Sequence, residues 1–394
     1  MKNRWLWVFS LVFVAWQVWV HSSFQYYERS LAHDLTLSRS DLALIVSSFL
    51  VPYGLLQVPV GRLLDQGRVD RMLLLSSLMA SGFSLIFVFS SDLAGLMLSR
   101  VGMGVACAVN FPASALLARR TLPPHRFALA MGLADGSLGW GAAFAALFPF
   151  VVPLQSWRAV VLTQTMVLVF VVVIPIWILN AREGAPVASP VAATEERVDR
   201  SWSPDAVVQV IRSCLMYAWG GGFVFGVAQY GLVSTLQGWS STRMQGMTLT
   251  MSLGIAIGMF LSGLLGARSE RRGKLLLVGT IMNGLTFLVL VLNRGLSVPA
   301  ALVIALVLGL SLGVQVLAFP IAEEAAPPGQ TALTVAIVNT VGTVFGAVMA
   351  VISGLILQAS APGELTPVLM TYGLLALFGL AMAGWIQRSA QATA

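Results

Sequence analysis

The sequence predicts an all-α integral membrane protein with twelve transmembrane helices in two pseudo-symmetric six-helix bundles. Three observations carry this. Only 10% of the 394 residues are charged and 57% are hydrophobic, whereas an ordinary soluble domain is roughly 25% charged. Twelve apolar segments reach the roughly 20 residues needed to cross a ~30 Å hydrocarbon core. Short motifs also recur in order at a nearly constant offset of 204–205 residues.

The first six segments fall at about 5–27, 41–61, 72–90, 93–118, 127–150 and 158–180. The second six fall at about 207–236, 244–266, 275–292, 298–320, 331–357 and 368–386. Between the sets lies AREGAPVASPVAATEERVDRSWSPD, the one long polar linker. It divides the chain into bundles 1–180 and 206–394, joined by 181–205. The N-terminal apolar stretch runs to Val20 with no small-residue cleavage site after it, so it reads as an uncleaved first helix.

Charge sets the orientation. With the N-terminus inside, seventeen of the 23 Lys and Arg residues fall on inner loops and tails and five on outer ones, leaving Arg100 within the membrane. That asymmetry places both termini and the linker in the cytoplasm, as expected of a bacterial inner (plasma) membrane protein. The net charge of +7 then reflects arginines flanking helices and implies no nucleic-acid partner. Cys107 and Cys214 both lie in apolar segments and suggest neither a disulfide framework nor a metal site. No H-E-x-x-H or G-x-S-x-G motif points to an enzyme, and no cofactor is expected.

The repeat is visible in three places. GRLLDQGRVDR (61–71) and GARSERRGK (266–274) each follow the second helix of their half, with an acid four residues after glycine. PPHRFAL (123–129) and PPGQTAL (327–333) each join the fourth and fifth helices. NFP (110–112) and AFP (318–320) end the two fourth helices. Parallel repeats of this kind are typical of one large class of carriers.

Over essentially its whole length the chain resembles the major facilitator superfamily. In that family the loop after helix 2 carries a pattern close to G-x-L-x-D-x-x-G-R-R/K. Gly61, Leu63 and Asp65 match it, whereas Gly67 stands one place early and Asp70 intrudes. The second copy keeps the basic end but has Glu270 for the aspartate. LSRVGMGVA supplies the intramembrane arginine of helix 4, Arg100, with Gly104. GLADGSLGWG is similar to the helix-5 pattern of proton-coupled drug exporters but has Ser137 where they carry proline. YGLLQVPVGRLLD (53–65) resembles the helix-2 pattern of organic-anion uptake carriers, the anion:cation symporters among them, as do LPPHRFALAMGL and SWRAV.

The resemblance implies alternating access about a central site. It also implies a cytoplasmic gate at Gly61, Asp65, Arg68, Arg71, Gly266, Glu270, Arg271 and Arg272. In that gate Asp65 meets the positive N-terminal end of helix 11 and a nearby arginine.

Ionisable groups inside the bilayer are costly, about 2.5–3.5 kcal/mol each at midspan. Arg100 and Asp135 are the two that lie well within helices, and helical rise puts them roughly 8–10 Å apart in height. A direct pair or a bridging water or solute both fit that separation. Asp135 maps by the repeat onto Asn339, as two facing cavity positions would, with Thr340 and Thr343 beside it. Gln17, His21 and Glu28 share one face of helix 1, and His21 is a second candidate proton carrier. Tyr217, Gln229 and Tyr230 on helix 7 and Gln315 on helix 10 complete the candidate set. Trp16, Trp19, Trp140 and Trp219 are expected at cavity walls, and Trp157, Trp202, Trp239 and Trp385 in the interfacial belt. Gly132, Gly136 and Gly139 have the spacing that lets helix 5 approach a neighbour closely.

The expected function is secondary active transport of a small, polar, anionic organic solute. Proton-coupled uptake by a monomer in the lipid bilayer is expected, with Arg100 attracting the solute and Asp135 or His21 taking the proton. An efflux carrier of the same fold and a non-transporting sensor are the alternatives.

Overall fold

The computed structural model describes residues 2–151, 156–181, 201–228, 232–293, 295–361 and 363–392. Most of the expected linker, and the candidates Gln229 and Tyr230, lie outside the described residues.

Helices account for nearly all of what is described. The first bundle comprises α1 (Lys2–Leu35), α2 (Arg39–Gln66), α3 (Val69–Phe89), α4 (Leu93–Thr121), α5 (Phe127–Val151) and α6 (Trp157–Ala181). The second comprises α7 (Pro204–Val227), α8 (Ser241–Leu265), α9 (Ser269–Leu292), α10 (Val298–Ala325), α11 (Thr331–Ala359) and α12 (Thr366–Ala392). Eleven of these are long and apolar enough to span a membrane. The twelfth, α5, is diluted by glycine and by Asp135 and packs between α1 and α8.

Local signals set many of the boundaries. Ser38 and Asp41 form a reciprocal capping box at the start of α2. Asp92 caps α4 through the Gly95 N–H at 2.7 Å, and Ser203 before Pro204 caps α7. α1 runs eight residues past its expected end, because the polar stretch Gln25–Arg29 stays helical. On α12, Met370, Leu374 and Leu377 form an exposed apolar stripe of the kind that faces lipid.

The duplication extends to irregularities. α4 is interrupted at Ala108–Val109, and α10 tightens into a 3₁₀ turn at Gly313–Leu317, nearly the same place in the repeat.

The halves meet chiefly through two pairs, α2 with α11 and α5 with α8, which the repeat makes equivalent. At the first, a side-chain carbon on Gly61 would lie 2.7 Å from the Ala332 carbonyl oxygen. At the second, one on Gly263 would lie 2.6 Å from the Ala128 carbonyl oxygen. Ala128 and Ala332 are 204 residues apart, so the packing counterpart of Gly61 is Gly263. Gly266, the expected counterpart, packs against Leu317 within its own half.

Candidate functional site

A cavity lies between the bundles at mid-height, with about 730 Å³ of empty space counting the part open to solvent. α1 contributes Gln17 and His21, α2 Phe49 and Tyr53, and α5 Asp135. The second half contributes Tyr217, Gln315, Asn339 and Thr343. The helices deliver these groups because each is amphipathic on a narrow stripe, with a few polar residues on an otherwise apolar face.

Asp135 is 1% exposed. Its Oδ1 accepts a hydrogen bond of 2.8 Å from the Tyr217 hydroxyl, across the interface between halves. Its Oδ2 is buried with no partner, and no described Lys or Arg forms an ion pair with it. The repeat-equivalent residue, Asn339, also crosses the interface. Its Nδ2 donates to Gln57 Oε1 at 2.7 Å and to the Tyr53 hydroxyl at 3.3 Å. The next residue, Thr340, donates to the Gly54 carbonyl of α2. Equivalent positions thus both tie the bundles together, one titratable and one neutral, through different helices of the opposite half.

The remaining candidates separate by location. Gln17 accepts from Asn110 Nδ2 at 2.6 Å, and His21 stacks on Phe49 with centroids 5.7 Å apart. Arg100, expected to attract solute, is not on the described cavity wall. It is buried within the first bundle, where it donates to the Tyr27 hydroxyl at 3.0 Å and lies over the rings of Phe24 and Phe87. Arg100 and Asp135 therefore do not pair. The rings give the guanidinium an acceptor surface without a carboxylate.

The tryptophans also differ from expectation. Trp16 donates to the Gln164 carbonyl, Trp19 packs on Phe144 and Phe148, and Trp219 packs on Phe223. Trp140 is half exposed, so none of the four is on the described cavity wall. Trp157, the first residue of α6, is buried and donates to Asp34.

At the arginine-rich face the cavity is closed. Asp65 accepts from the Ala332 and Leu333 N–H groups, both at 2.9 Å, at the N-terminus of α11. A carboxylate there satisfies two otherwise unpaired helix donors and meets the positive end of the helix dipole, worth about 1–2 kcal/mol in a partly buried setting. Arg119 of α4 pairs with Glu323 of α10 at 2.8 Å, and Thr331 donates to the same carboxylate at 3.0 Å. Arg119 and Glu323 are 204 residues apart, so repeat-equivalent positions carry opposite charges and join across the interface.

The described contacts of the other expected gate residues stay within their own halves. Arg68 binds Asp70, which also pairs with Lys2, so the intruding aspartate holds that arginine in its own loop. Arg71, Glu270 and Arg271 are exposed. Arg272 binds Glu324 and the Gly266 carbonyl within the second half.

Sequence reasoning missed Asn110, Gln57, Arg119 and Glu323 as members of this constellation. For the last two a signal existed: the 204-residue offset that aligns the PP motifs also aligns Arg119 with Glu323.

Two bundles of six helices, related by an internal repeat around a largely apolar cavity that carries a few polar groups and is closed at one face, define the class of membrane carriers. The chain belongs to the Major Facilitator Superfamily: the family's sequence profile matches residues 7–350. It is similar to an uncharacterized transporter, YybO, of Bacillus subtilis (strain 168), at 29% identity over 128 residues. That match covers 32% of this chain and 29% of the relative's length. In fold it is similar to the human organic anion transporter MFSD10 (TETRAN), with a TM-score of 0.73 over 97% of this chain and 99% of the other at 16% identity. At that identity the likeness concerns the fold alone.

Proposed function

We propose that this protein is a proton-coupled secondary transporter that takes up a small polar organic solute by alternating access of its two bundles. It would sit in a bacterial inner membrane with both termini cytoplasmic and act as a monomer. The observation that carries the reading is Asp135: a buried acid on the cavity wall, tied only to Tyr217 of the opposite bundle, with one oxygen free.

A proton on that carboxylate changes both its charge and its tie to the second bundle, which is what coupling requires. The closed arginine-rich face fits a state in which the site is shut toward the cytoplasm. Gly61, Asp65, Arg119 and Glu323 are the residues of that gate.

The net negative charge expected of the solute is not retained. The described cavity wall has no lysine or arginine, and Arg100 stands behind it. What MFSD10 carries is that protein's own property.

Proteoliposomes test the reading. Adding the right solute outside in the absence of a pH gradient should carry protons inward, reported by a trapped pH dye. Solute movement with no dye response would remove proton coupling from the proposal.

A further inference from the structure

We infer that the transported solute is a flat, neutral molecule with an amide-type edge, that is, an N–H donor beside a C=O acceptor; this rests on the central cavity being the transport site. The observation is Gln315. It is 1% exposed, lies on the cavity wall, and among the described residues has no hydrogen-bond partner for either Oε1 or Nε2. A buried amide with both ends unpaired is rare, since protein interiors pair nearly all such groups.

The site around it is built. Gln315 sits in the tightened 3₁₀ turn of α10, and its amide lies against Gly220 of α7, where any side chain would overlap it. One primary amide offering a donor and an acceptor side by side is matched by another group of the same kind: a carboxamide, urea, lactam or nucleobase edge.

Charge narrows the class. Among described wall residues the one carboxylate is Asp135, whose Oδ2 has no partner among the described residues. A carboxylate solute would meet that oxygen with like charge whenever Asp135 is unprotonated, and would find no arginine or lysine among the described wall residues. A permanent cation would neutralise Asp135 and occupy the acceptor that the proton needs. A neutral amide satisfies Gln315 at both ends and leaves Asp135 free to exchange its proton. Flatness follows from the walls, where Phe49, Tyr53, Phe111, Tyr217 and Phe225 present ring faces or edges.

The test is direct binding to the purified full chain in nanodiscs, with matched sets at two sizes. These are benzamide, benzoate and benzamidine, and their 2-naphthyl counterparts. The amide of at least one set should bind about tenfold or more tighter than its carboxylate and its amidinium. Gln315→Leu should remove that preference, and Gln315→Glu, of the same shape, should transfer it to the amidinium.

Equal or tighter binding of the carboxylates or amidines by wild-type protein, absence of amide binding, or an unchanged preference in both variants would each overturn the inference. The coupling proposal is judged separately by proton movement. Amide binding without proton flux sinks that reading alone, and proton-coupled transport of a carboxylate sinks this one alone.

Discussion

Asp135→Asn should abolish uphill accumulation of solute in proteoliposomes while leaving solute exchange within about threefold of wild type. Asparagine keeps the volume and still offers an oxygen to the Tyr217 hydroxyl, whose bond to Asp135 spans 2.8 Å. It cannot bind and release a proton. The substitution also makes position 135 chemically like its repeat partner Asn339, which already ties the bundles through Gln57 and Tyr53. The result should be a symmetric exchanger: labelled solute still swaps with unlabelled solute, but a pH gradient no longer drives it. Wild-type accumulation in this variant would show that the coupling proton binds elsewhere, with His21 on the same wall the next group to neutralise.

The second large effect concerns glycine on α5. A side-chain carbon at Gly132 would lie 2.5 Å from the Met259 carbonyl oxygen, and one at Gly139 would overlap the Ser252 carbonyl oxygen. At Gly136, between them, the same carbon would stand 3.5 Å from the Ala256 carbonyl oxygen, an ordinary contact. Both tight contacts are with backbone of the opposite bundle, which cannot rotate away. Overpacking of this kind costs about 1–3 kcal/mol, so Gly132→Ala and Gly139→Ala should shift the balance of states roughly 5- to 160-fold away from the one described. Thr340→Cys on α11, placed in a Cys107→Ser/Cys214→Ser background, reports the shift through maleimide labelling from the arginine-rich face. Labelling should rise strongly in both variants and stay at the parent level in Gly136→Ala. Equal behaviour of all three would mean that close α5–α8 packing does not define the closed state.

How much of this was legible in the sequence depends on the range of the interaction. Helix number, their order and the duplication follow from hydropathy and local motifs, because crossing a bilayer imposes length and apolarity on each helix separately. Asp135 was legible for the same reason, as a carboxylate in a hydrocarbon layer must be explained. Its partner was not derivable, since Tyr217 lies 82 residues away and in the other bundle.

Arg100 was found by the same rule and given the wrong surroundings. Its solution is made by the rings of Phe24 and Phe87, which look like ordinary apolar filling in a linear reading, and by the hydroxyl of Tyr27 in the polar end of α1. Arg119 was read as a topogenic charge, and its additional role emerges only when Glu323 is seen to face it. The departure of QGRVDR from the family pattern had a readable consequence: Asp70 pairs with Arg68 within the loop.

Alternating access of the two bundles is the central claim, and a distance measurement tests it most directly. Gln66, the last residue of α2, and Arg271, in the first turn of α9, are exposed and stand 205 residues apart in the repeat. Spin labels at Gln66→Cys and Arg271→Cys, with Cys107 and Cys214 replaced by serine, report the separation of the halves at the arginine-rich face without requiring turnover. The account predicts a short distance matching the closed face, and a second, longer one whose share changes when pH or solute changes. A single distance, invariant under both, would contradict it.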